Sequence, residues 1–426
     1  MKLSKFIFLL LFNINCIVFF SCCGHNVPKY SPQKEIETEN NTTITPDHIL
    51  PIEGVWRLNN DIDLEGKTAL IPEGVTLVAS KGRIKNGTLI GNNTKIRSTA
   101  PIFRNVHIKG IWDVPVISTS LFDDLSYTNS LHDVIALSNS NVTNYITIEK
   151  GHYQVSAQSF LGSLTLTSNT HLTIDGEIHL TPNSHKGCYI INVYKCNNVI
   201  IDGSGTLFGD KMTHKGTEGQ WGHGINILSS NNVTIDGMHI EDCWGDCIYV
   251  GNDSKNIEIT GCFLNNSRRQ GISVTHADSV HISNCVIRNV AGSNPQYAID
   301  IEPNENEYVD NIIIENVTCR NCVGGITMWH PDNASIGSVT ICCCHISGTS
   351  AKRPVVLELA DKVTFKNCYV EGNDKIAVSA TRVNDLQMSG NIIITTNNTP
   401  IAIIKCSKTN VKNNKINGKQ ISNQAG

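Results

Sequence analysis

Short apolar strands of two kinds alternate along the middle of the chain. Strands of the first kind follow a polar turn and carry an isoleucine two residues before a second apolar residue; they read GHGINIL, GDCIYVG, RRQGISVT and YAIDIEPN. Strands of the second kind lie between them and include NNVTIDGMHI, KNIEITGCFL and DSVHISNCVI. Apolar residues at every second position are typical of strands with one buried face. The pattern therefore predicts a coil of parallel strands whose turn residues stack on one outer face.

The second kind of strand recurs at intervals of 23 to 34 residues. Apolar residues occupy the first position of each repeat and the positions two and seven residues later. The first positions are Val199, Val233, Ile257, Val280, Ile312, Val339, Val363, Leu386 and Val411. A unit this short cannot bury its own apolar face, so it must stack on its neighbours as a solenoid. The two longest intervals predict insertions after Ser204 and near Ala291, where functional loops tend to lie.

The position five residues into each repeat bears on the 16 cysteines of the chain. It holds Met238, Cys262, Cys285, Val317, Cys344 and Cys368. Four cysteines in one apolar column indicate a ladder of buried thiols, which behave as small hydrophobic side chains. Metal binding is the alternative. A disulfide between neighbouring coils is geometrically permitted but not required.

The N-terminal segments predict export. Residues 1–22 have a cationic start and then an apolar run, which is typical of an export signal rather than a membrane span. Ser21-Cys22 resembles the lipobox of bacterial lipoproteins, which implies acylation at Cys22 and a position at the periplasm-facing membrane or the cell surface. An ordinary signal peptide is the alternative. We expect residues 23–47 to be a polar, disordered linker, residues 48–129 a β-rich cap or the first coils, and residues 130–426 the solenoid.

Several motifs resemble those of pectate-lyase-like and polygalacturonase-like right-handed β-helix proteins. A short helix over 130–137 followed by an apolar strand resembles the start of such domains, and TIDGEI, VIIDGSGTLFG and VTIDGMHI look like their later coils. GDCI around Asp246 is similar to the GDDCI element of polygalacturonases, with one aspartate in place of two. GHGI around His223 and QGIS from Gln270 are similar to their GHGIS element. The resemblance implies an all-β fold, a right-handed parallel β-helix with a β-rich N-terminal cap and a short capping helix.

Alignment of the first-kind strands on their inward isoleucines places polar side chains in one outward strip. Asp300 and Glu302 share a strand face about 6.6–7 Å apart by strand rise. That separation suits a general acid and base with a water between them, although side-chain reach can close it to the retaining distance. Arg269, one coil from Asp246, is either a surface ion-pair partner or a functional cation. His223 is a candidate acid or sugar ligand, with a structural role as the alternative. The predicted catalytic residues are thus Asp246, Asp300, Glu302, Arg269 and His223.

Further residues beside this strip are predicted to bind substrate. Aromatic rings suit the faces of pyranoses and arginines suit carboxylates. For the tryptophans, packing in the core or a loop is the alternative. The predicted substrate-binding residues are Arg268, Tyr249, Gln270, Trp221, Trp244 and Trp329.

Together these residues predict a polysaccharide-active enzyme, foremost a glycoside hydrolase acting on an acidic, pectin-like glycan. One alternative is a uronate lyase or epimerase with an arginine base, and another is a non-catalytic carbohydrate-binding or adhesion β-helix. No cofactor and no metal ligand are expected; calcium would enter only with a lyase, and it needs more oxygens than the strip offers. The expected partner is a polysaccharide or oligosaccharide, with membrane contact through the lipid anchor only. The net charge of −4 gives no basic footprint for nucleic acid.

Overall fold

The structure is a computed structural model that describes residues 54–98, 100–421 and 424–425. The predicted export signal, the acylated Cys22 and the linker lie outside these residues and stay predictions. Among the described residues, no helix combines the length and the apolar character needed to cross a membrane.

From residue 116 onward the chain passes repeatedly through three sheets of stacked strands, called sheets 1, 2 and 3. Within each sheet a strand pairs in parallel with the strands of the coils before and after it, which confirms the predicted solenoid. Only the last strands of sheets 2 and 3 pair antiparallel. The strands of sheet 1 are Gly162–Thr165, Gly187–Tyr194, Trp221–Leu228, Ile248–Gly251, Ile272–Val274, Tyr297–Ile301, Gly324–Met328, Val355–Glu358, Val378–Thr381 and Ile401–Ile404.

Sheets 2 and 3 complete each coil. The strands of sheet 2 are Val116–Ser118, Asn144–Ile148, Thr170–Ile174, Asn197–Asp202, Asn231–Asp236, Ser254–Thr260, Ala277–Ser283, Tyr308–Glu315, Ser335–Ile336, Ser338–Cys342, Lys362–Lys366, Asp385–Ser389, Lys408–Lys412 and Gln424–Ala425. The strands of sheet 3 are His152–Val155, Glu177–Leu180, Thr206–Phe208, His239–Glu241, Phe263–Asn265, Val286–Arg288, Thr318–Arg320, His345–Ser347, Tyr369–Asn373, Ile392–Thr395, Lys415–Ile416 and Lys419–Gln420.

The predicted inward rows pair residue by residue across the coils. In sheet 1 the aligned isoleucines are successive Cα partners with no exposed surface; they are Ile225, Ile248, Ile272, Ile299 and Ile326. Each such burial is worth about 1.5–3 kcal/mol, so the stacked rows stabilise the coil collectively. The assignment of Val411 as the first position of the last repeat was wrong. Leu386 pairs with Thr409, and Val411 instead lies beside Met388, because the apolar match in the last coil is two residues further along the strand.

The predicted thiol column is confirmed as a buried ladder. The four cysteines at this position are each about 1% exposed, and their thiols lie within hydrogen-bonding distance of backbone carbonyls two residues earlier. The described cysteines are free thiols. In the last two coils Asn391 and Asn414 replace the thiols, and both are wholly buried. The Asn391 side chain accepts from the Cys368 N–H (2.9 Å) and donates to the Phe365 carbonyl (3.0 Å) and to Asn414 Oδ1 (2.8 Å).

Before the coils, residues 54–113 form a separate six-stranded sheet whose paired strands run parallel. A 3₁₀ turn, Thr119–Leu121, and the predicted helix, Ser130–Ile135, follow it. The buried carboxylate of Asp133 holds this helix in place by accepting from the Ile108 N–H (2.8 Å) and the Tyr127 hydroxyl (2.9 Å). The strands of the separate sheet are Val55–Leu58, Ile62–Asp63, Thr68–Leu70, Thr76–Ala79, Ile84–Ile96 and Phe103–Asp113.

The buried amide column yields a stability prediction. Asn391→Ala removes a side chain that satisfies the Cys368 N–H and the Phe365 carbonyl, and each buried polar group left unpaired costs about 1–3 kcal/mol. We expect a loss of at least about 2 kcal/mol in the free energy of unfolding, measured by urea titration followed by circular dichroism. The control Asn410→Ala, which removes only a partly exposed side-chain bond to Gln387, should cost less than about 1 kcal/mol. Equal losses in the two variants would contradict the structural role of the column.

Candidate active site

A column of polar side chains follows the isoleucine row on sheet 1. Its members are successive Cα partners one coil apart: Asn226, Tyr249, Ser273, Asp300 and Thr327. Because stacked parallel strands lie about 4.8 Å apart, side chains from distant parts of the chain become neighbours here. His223, on the strand that carries Asn226, and the turn residues Asp246 and Arg269 join the same cluster.

Arg269 lies at the centre of the cluster and bridges two coils. Its Nη1 donates to Asp246 Oδ2 (3.0 Å) and to the Ser273 hydroxyl (3.3 Å). Its Nη2 lies 3.6 Å from Glu302 Oε2. The guanidinium therefore holds two carboxylates, one from the coil before it and one from the coil after it. The predicted proximity of Arg269 to Asp246 is found in the structure.

Asp246 is the most buried charged group of the cluster, with no exposed surface. Its Oδ2 accepts from the Ser273 hydroxyl (3.0 Å) as well as from Arg269, whereas its Oδ1 has no hydrogen-bond partner. Burial raises the pKa of Asp246, and the positive charge of Arg269 opposes this shift. Asp246 thus holds the arginine from the preceding coil and does not face an open groove.

Asp300 and Glu302 form a pair of carboxyls in unequal surroundings. Asp300 is 3% exposed, whereas the Glu302 side chain is 35% exposed and lies beside Arg269. Burial first, and then the negative charge of Glu302, raises the pKa of Asp300 well above its usual range, while Arg269 offsets part of the shift.

Gln270 is a positioning residue rather than the substrate ligand predicted for it. It has no exposed surface. Its side-chain Nε2 donates to Asp300 Oδ2, and its Oε1 accepts from the Tyr297 N–H (2.7 Å). Both ends of the amide are occupied within the protein, so Gln270 fixes the orientation of the Asp300 carboxyl.

His223 is packed as a neutral ring. Its imidazole stacks between Tyr189 (5.5 Å between centroids) and Tyr249 (4.9 Å), and Nδ1 accepts from the Asp246 N–H (3.1 Å). Burial, together with Arg269, lowers the pKa of His223 to about 3. Both observations disfavour a proton-donating role at neutral pH, one of the roles predicted for it. Tyr189 was missed, although it occupies the same strand position as His223 one coil earlier.

The close approach between these coils depends on a glycine. A Cβ at Gly245 would lie 2.6 Å from the Gln220 carbonyl oxygen and 3.0 Å from His223 Nδ1. Contacts this short would push the turn away from the preceding coil. The glycine before Asp246 therefore lets the carboxylate sit directly against the histidine.

Two predicted substrate ligands instead hold the first insertion, residues 209–220. Trp244 is only 8% exposed, because His214 stacks on its ring at 3.9 Å and the Arg268 guanidinium lies 3.8 Å from the ring centroid. Arg268 also donates to the carbonyls of Gly219 (2.8 Å) and Thr217 (3.2 Å). Both side chains thus tie the insertion to the coils, which favours a structural role for each, and substrate binding by Trp244 and Arg268 stays a prediction.

The remaining predicted ligands differ in their relation to the cluster. Tyr249 belongs to it, and its hydroxyl lies 2.9 Å from Thr275 Oγ1. Trp221 is half-buried at the start of the strand that carries His223, one coil before Tyr249, with its ring 6.0 Å from that of Phe160. Trp329 is half-buried directly after the strand that carries Thr327. Substrate binding by these three residues stays a prediction.

Comparison with known proteins agrees with this architecture. The family model described as a right handed beta helix region matches residues 176–341 and 294–425, which together make up more than half of the chain. The chain belongs to the right-handed β-helix family. Its match to that family confirms the predicted hand of the coil. Two curated relatives of this β-helix are uncharacterised proteins of Bacillus subtilis (strain 168): the SPbeta prophage-derived YorA, 25% identical over 206 residues, and YclG, 31% identical over 179 residues.

The alignments to YorA and YclG cover 41% and 37% of this chain. The chain therefore spans only 35% and 30% of the lengths of those two relatives. Solved structures of similar fold include an exopolygalacturonase from Thermotoga maritima (13% identity, 71% of this chain and 91% of that one, TM-score 0.47). They also include the Acinetobacter baumannii bacteriophage Fri1 tailspike gp49, a capsular polysaccharide depolymerase (12%, 73% and 65%, 0.42). A third is PfbA, a surface adhesin of Streptococcus pneumoniae (12%, 85% and 81%, 0.36).

The packing of Trp244 yields a prediction that separates a structural role from sugar binding. Trp244→Ala should cost about 3–5 kcal/mol of unfolding free energy and release the insertion, because the ring between His214 and Arg268 is lost. We expect faster tryptic cleavage after Lys211 and Lys215 under native conditions, followed by mass spectrometry.

The control for this experiment is Phe365→Ala, which removes a wholly buried aromatic ring from a distant coil. It should lower global stability by a similar amount without selective cleavage in residues 209–220. Unchanged cleavage in Trp244→Ala, combined with weaker polysaccharide binding, would instead support the sugar-platform role.

Proposed function

We propose that this β-helix is a polysaccharide-active enzyme that hydrolyses glycosidic bonds with the Asp300–Glu302 carboxyl pair. The observation that carries the proposal is the unequal environment of these two groups. Asp300 is desolvated and held by Gln270, whereas Glu302 is partly exposed and faces the Arg269 guanidinium. Two carboxyls whose surroundings separate their protonation states suit the acid and the base or nucleophile of a glycosidase.

In the proposed reaction, Asp300 transfers its proton to the glycosidic oxygen as the bond from that oxygen to the anomeric carbon breaks. Glu302 supplies the second carboxyl function, either by removing a proton from the attacking water or by attacking the anomeric carbon before water releases the sugar. The guanidinium of Arg269 favours the ionised form of Glu302 because it lies 3.6 Å from Oε2. Asp246 in turn holds Arg269 in position.

A lyase or epimerase with Arg269 as the base is the second candidate, and the charge arrangement disfavours it. Although burial alone would lower the pKa of Arg269, neighbouring carboxylates, Asp246 first and Glu302 with it, raise it above its usual value. An arginine must lose its proton to act as a base, and this one is held in the protonated form. A pure binding protein, the third candidate, does not require a desolvated carboxyl with a raised pKa.

Fewer arginines are available to bind an acidic substrate than the sequence pattern indicated. Arg268 is committed to the insertion, and Arg269 is already paired with two carboxylates. An acidic, pectin-like glycan would therefore have to share Arg269 with Glu302. Neutral polysaccharides accordingly belong beside acidic ones in the assay, with reducing-end release as the readout for hydrolysis and ultraviolet absorbance of an unsaturated sugar as the readout for a lyase.

Substitution of the proposed acid gives the most direct test. Asp300→Asn should lower kcat on a polysaccharide that the wild-type protein cleaves by about 100- to 10,000-fold, because the amide cannot donate a proton as a carboxylic acid does. Activity on an aryl glycoside of the same sugar, whose phenolate leaves without protonation, should fall far less. The control Thr327→Ser changes the matched position one coil later and should retain nearly full activity. Equal losses of Asp300→Asn on both substrates would contradict the assignment of Asp300 as the acid.

The pH dependence provides a second test. Asp300 is active as an acid only while protonated, and its pKa is raised, so activity should persist above the ordinary aspartate range and fall as pH rises through that raised value. We expect this alkaline decline in kcat/KM on the natural substrate. It should be absent when Asp300→Asn is assayed on the aryl glycoside. An alkaline decline that survives the substitution would assign it to another group.

A further inference from the structure

Three potential metal ligands lie together on the outer surface of sheet 3, away from the carboxyl cluster of sheet 1. His152 and Glu177 are Cα partners on neighbouring strands. His179 follows Glu177 by two residues, so both side chains project from the same face of their strand. Their donor atoms all lie within 4.8 Å of one another. The chain separates His152 from Glu177 by one coil, which is why no short sequence motif revealed the group.

The distances within this cluster suit one small cation. Glu177 Oε2 lies 2.9 Å from His152 Nδ1 and 3.2 Å from His179 Nε2. Ligands about 2.0–2.1 Å from a tetrahedral zinc ion are separated by roughly 3.3–3.4 Å. The two measured separations are close to this edge length, so small side-chain movements would bring three donors onto one ion.

We propose that His152, Glu177 and His179 bind one divalent cation of the zinc class. Two imidazoles and one carboxylate are a ligand set that zinc accepts, and three protein ligands leave a fourth position for water or another ligand. Each donor comes from a paired strand of a continuous parallel sheet, so the site is largely formed before the ion arrives.

The surroundings of His179 support an open site rather than a closed structural one. Its ring stacks on Phe208 at 4.5 Å with an interplanar angle of 11°, which limits its rotation. His179 and Phe208 also line a cleft of about 450 Å³ that is bordered by Thr181, Met212 and Asp242. A ligand bound in this cleft would contact His179 and would therefore lie close to the ion.

An ordinary pair of histidine–carboxylate hydrogen bonds is the competing explanation. The hydrogen bond with His179 has the largest effect on Glu177 and lowers its pKa; burial opposes this shift, and the charge of His152 adds to it. Both explanations need this ionised carboxylate. They differ in what the cluster binds: a pair of hydrogen bonds needs no ion, whereas a metal site takes up zinc or cobalt from solution.

His281 on sheet 2 provides the structural contrast. Its two ring nitrogens contact two different carboxylates, Glu258 and Glu315, at 3.0 Å each. Donors on opposite sides of one ring cannot converge on a single ion. His239, which follows Glu177 by two coils in the same outward row, has no carboxylate partner among its described contacts, and its ring is tilted against that of Phe263 at 5.3 Å.

The test is metal binding by the full-length protein, with zinc ions alone in equilibrium dialysis and cobalt ions alone in visible spectroscopy. His179→Ala and Glu177→Gln should each weaken zinc binding at least about tenfold, since even the loss of a hydrogen-bond partner behind a ligand costs that much. The control variants His239→Ala and His281→Ala should bind as the wild type does. Thiols elsewhere in the chain are common to all variants, so the differences report this site.

Cobalt should give the strong visible absorbance of tetrahedral nitrogen and oxygen coordination in the wild type, and this absorbance should be lost in His179→Ala. Circular dichroism and thermal unfolding would establish that the variants remain folded, which the partial exposure of Glu177 and His179 favours. Equal zinc affinity in the wild type and His179→Ala would overturn the proposal, as would an equal loss in His239→Ala. These readouts do not involve polysaccharide cleavage, so the metal site stands or fails independently of the proposed hydrolase activity.

Discussion

Backbone hydrogen bonding between successive coils is the constraint on which the other features of this protein depend. It stacks residues some two dozen positions apart in the chain at the spacing of neighbouring parallel strands. Inside, the same register places isoleucine on isoleucine and thiol on thiol. Outside, it makes vertical neighbours of polar residues that share no local motif. A functional site in such a fold is therefore a column, and each coil contributes one or two side chains to it.

The fold was largely predictable from the sequence because burial imposes a repeating apolar pattern on every coil. The inward row from Ile225 to Ile326 and the cysteine column are found where the pattern placed them. The pattern failed in the last coil, where the polar Thr409 holds the first inward position and the first apolar residue, Val411, holds the next one. Regular spacing identifies a row, but it does not distinguish two inward positions of the same strand when few apolar residues remain.

The site was only partly predictable, because strand register gives the position of a Cα and not the direction of a long side chain. Asp246, Arg269 and Glu302 were expected near one another and are joined through the guanidinium. Arg268, adjacent in sequence to Arg269, turns to the insertion, and Gln270 turns inward to Asp300. Insertion contacts such as that between His214 and Trp244 follow from loop conformation, on which strand periodicity is silent.

The division of the site among coils also bears on how such a chain can change during evolution. Arg269 connects Asp246, one coil earlier, to Glu302, one coil later. Duplication of a whole coil beyond Thr327 would lengthen the molecule and leave these contacts in place. Duplication between Asp246 and Arg269 would move the guanidinium out of reach of its anchor. We therefore expect lineages of this protein to vary in length towards the C-terminal coils while the three coils around Arg269 are inherited as one block.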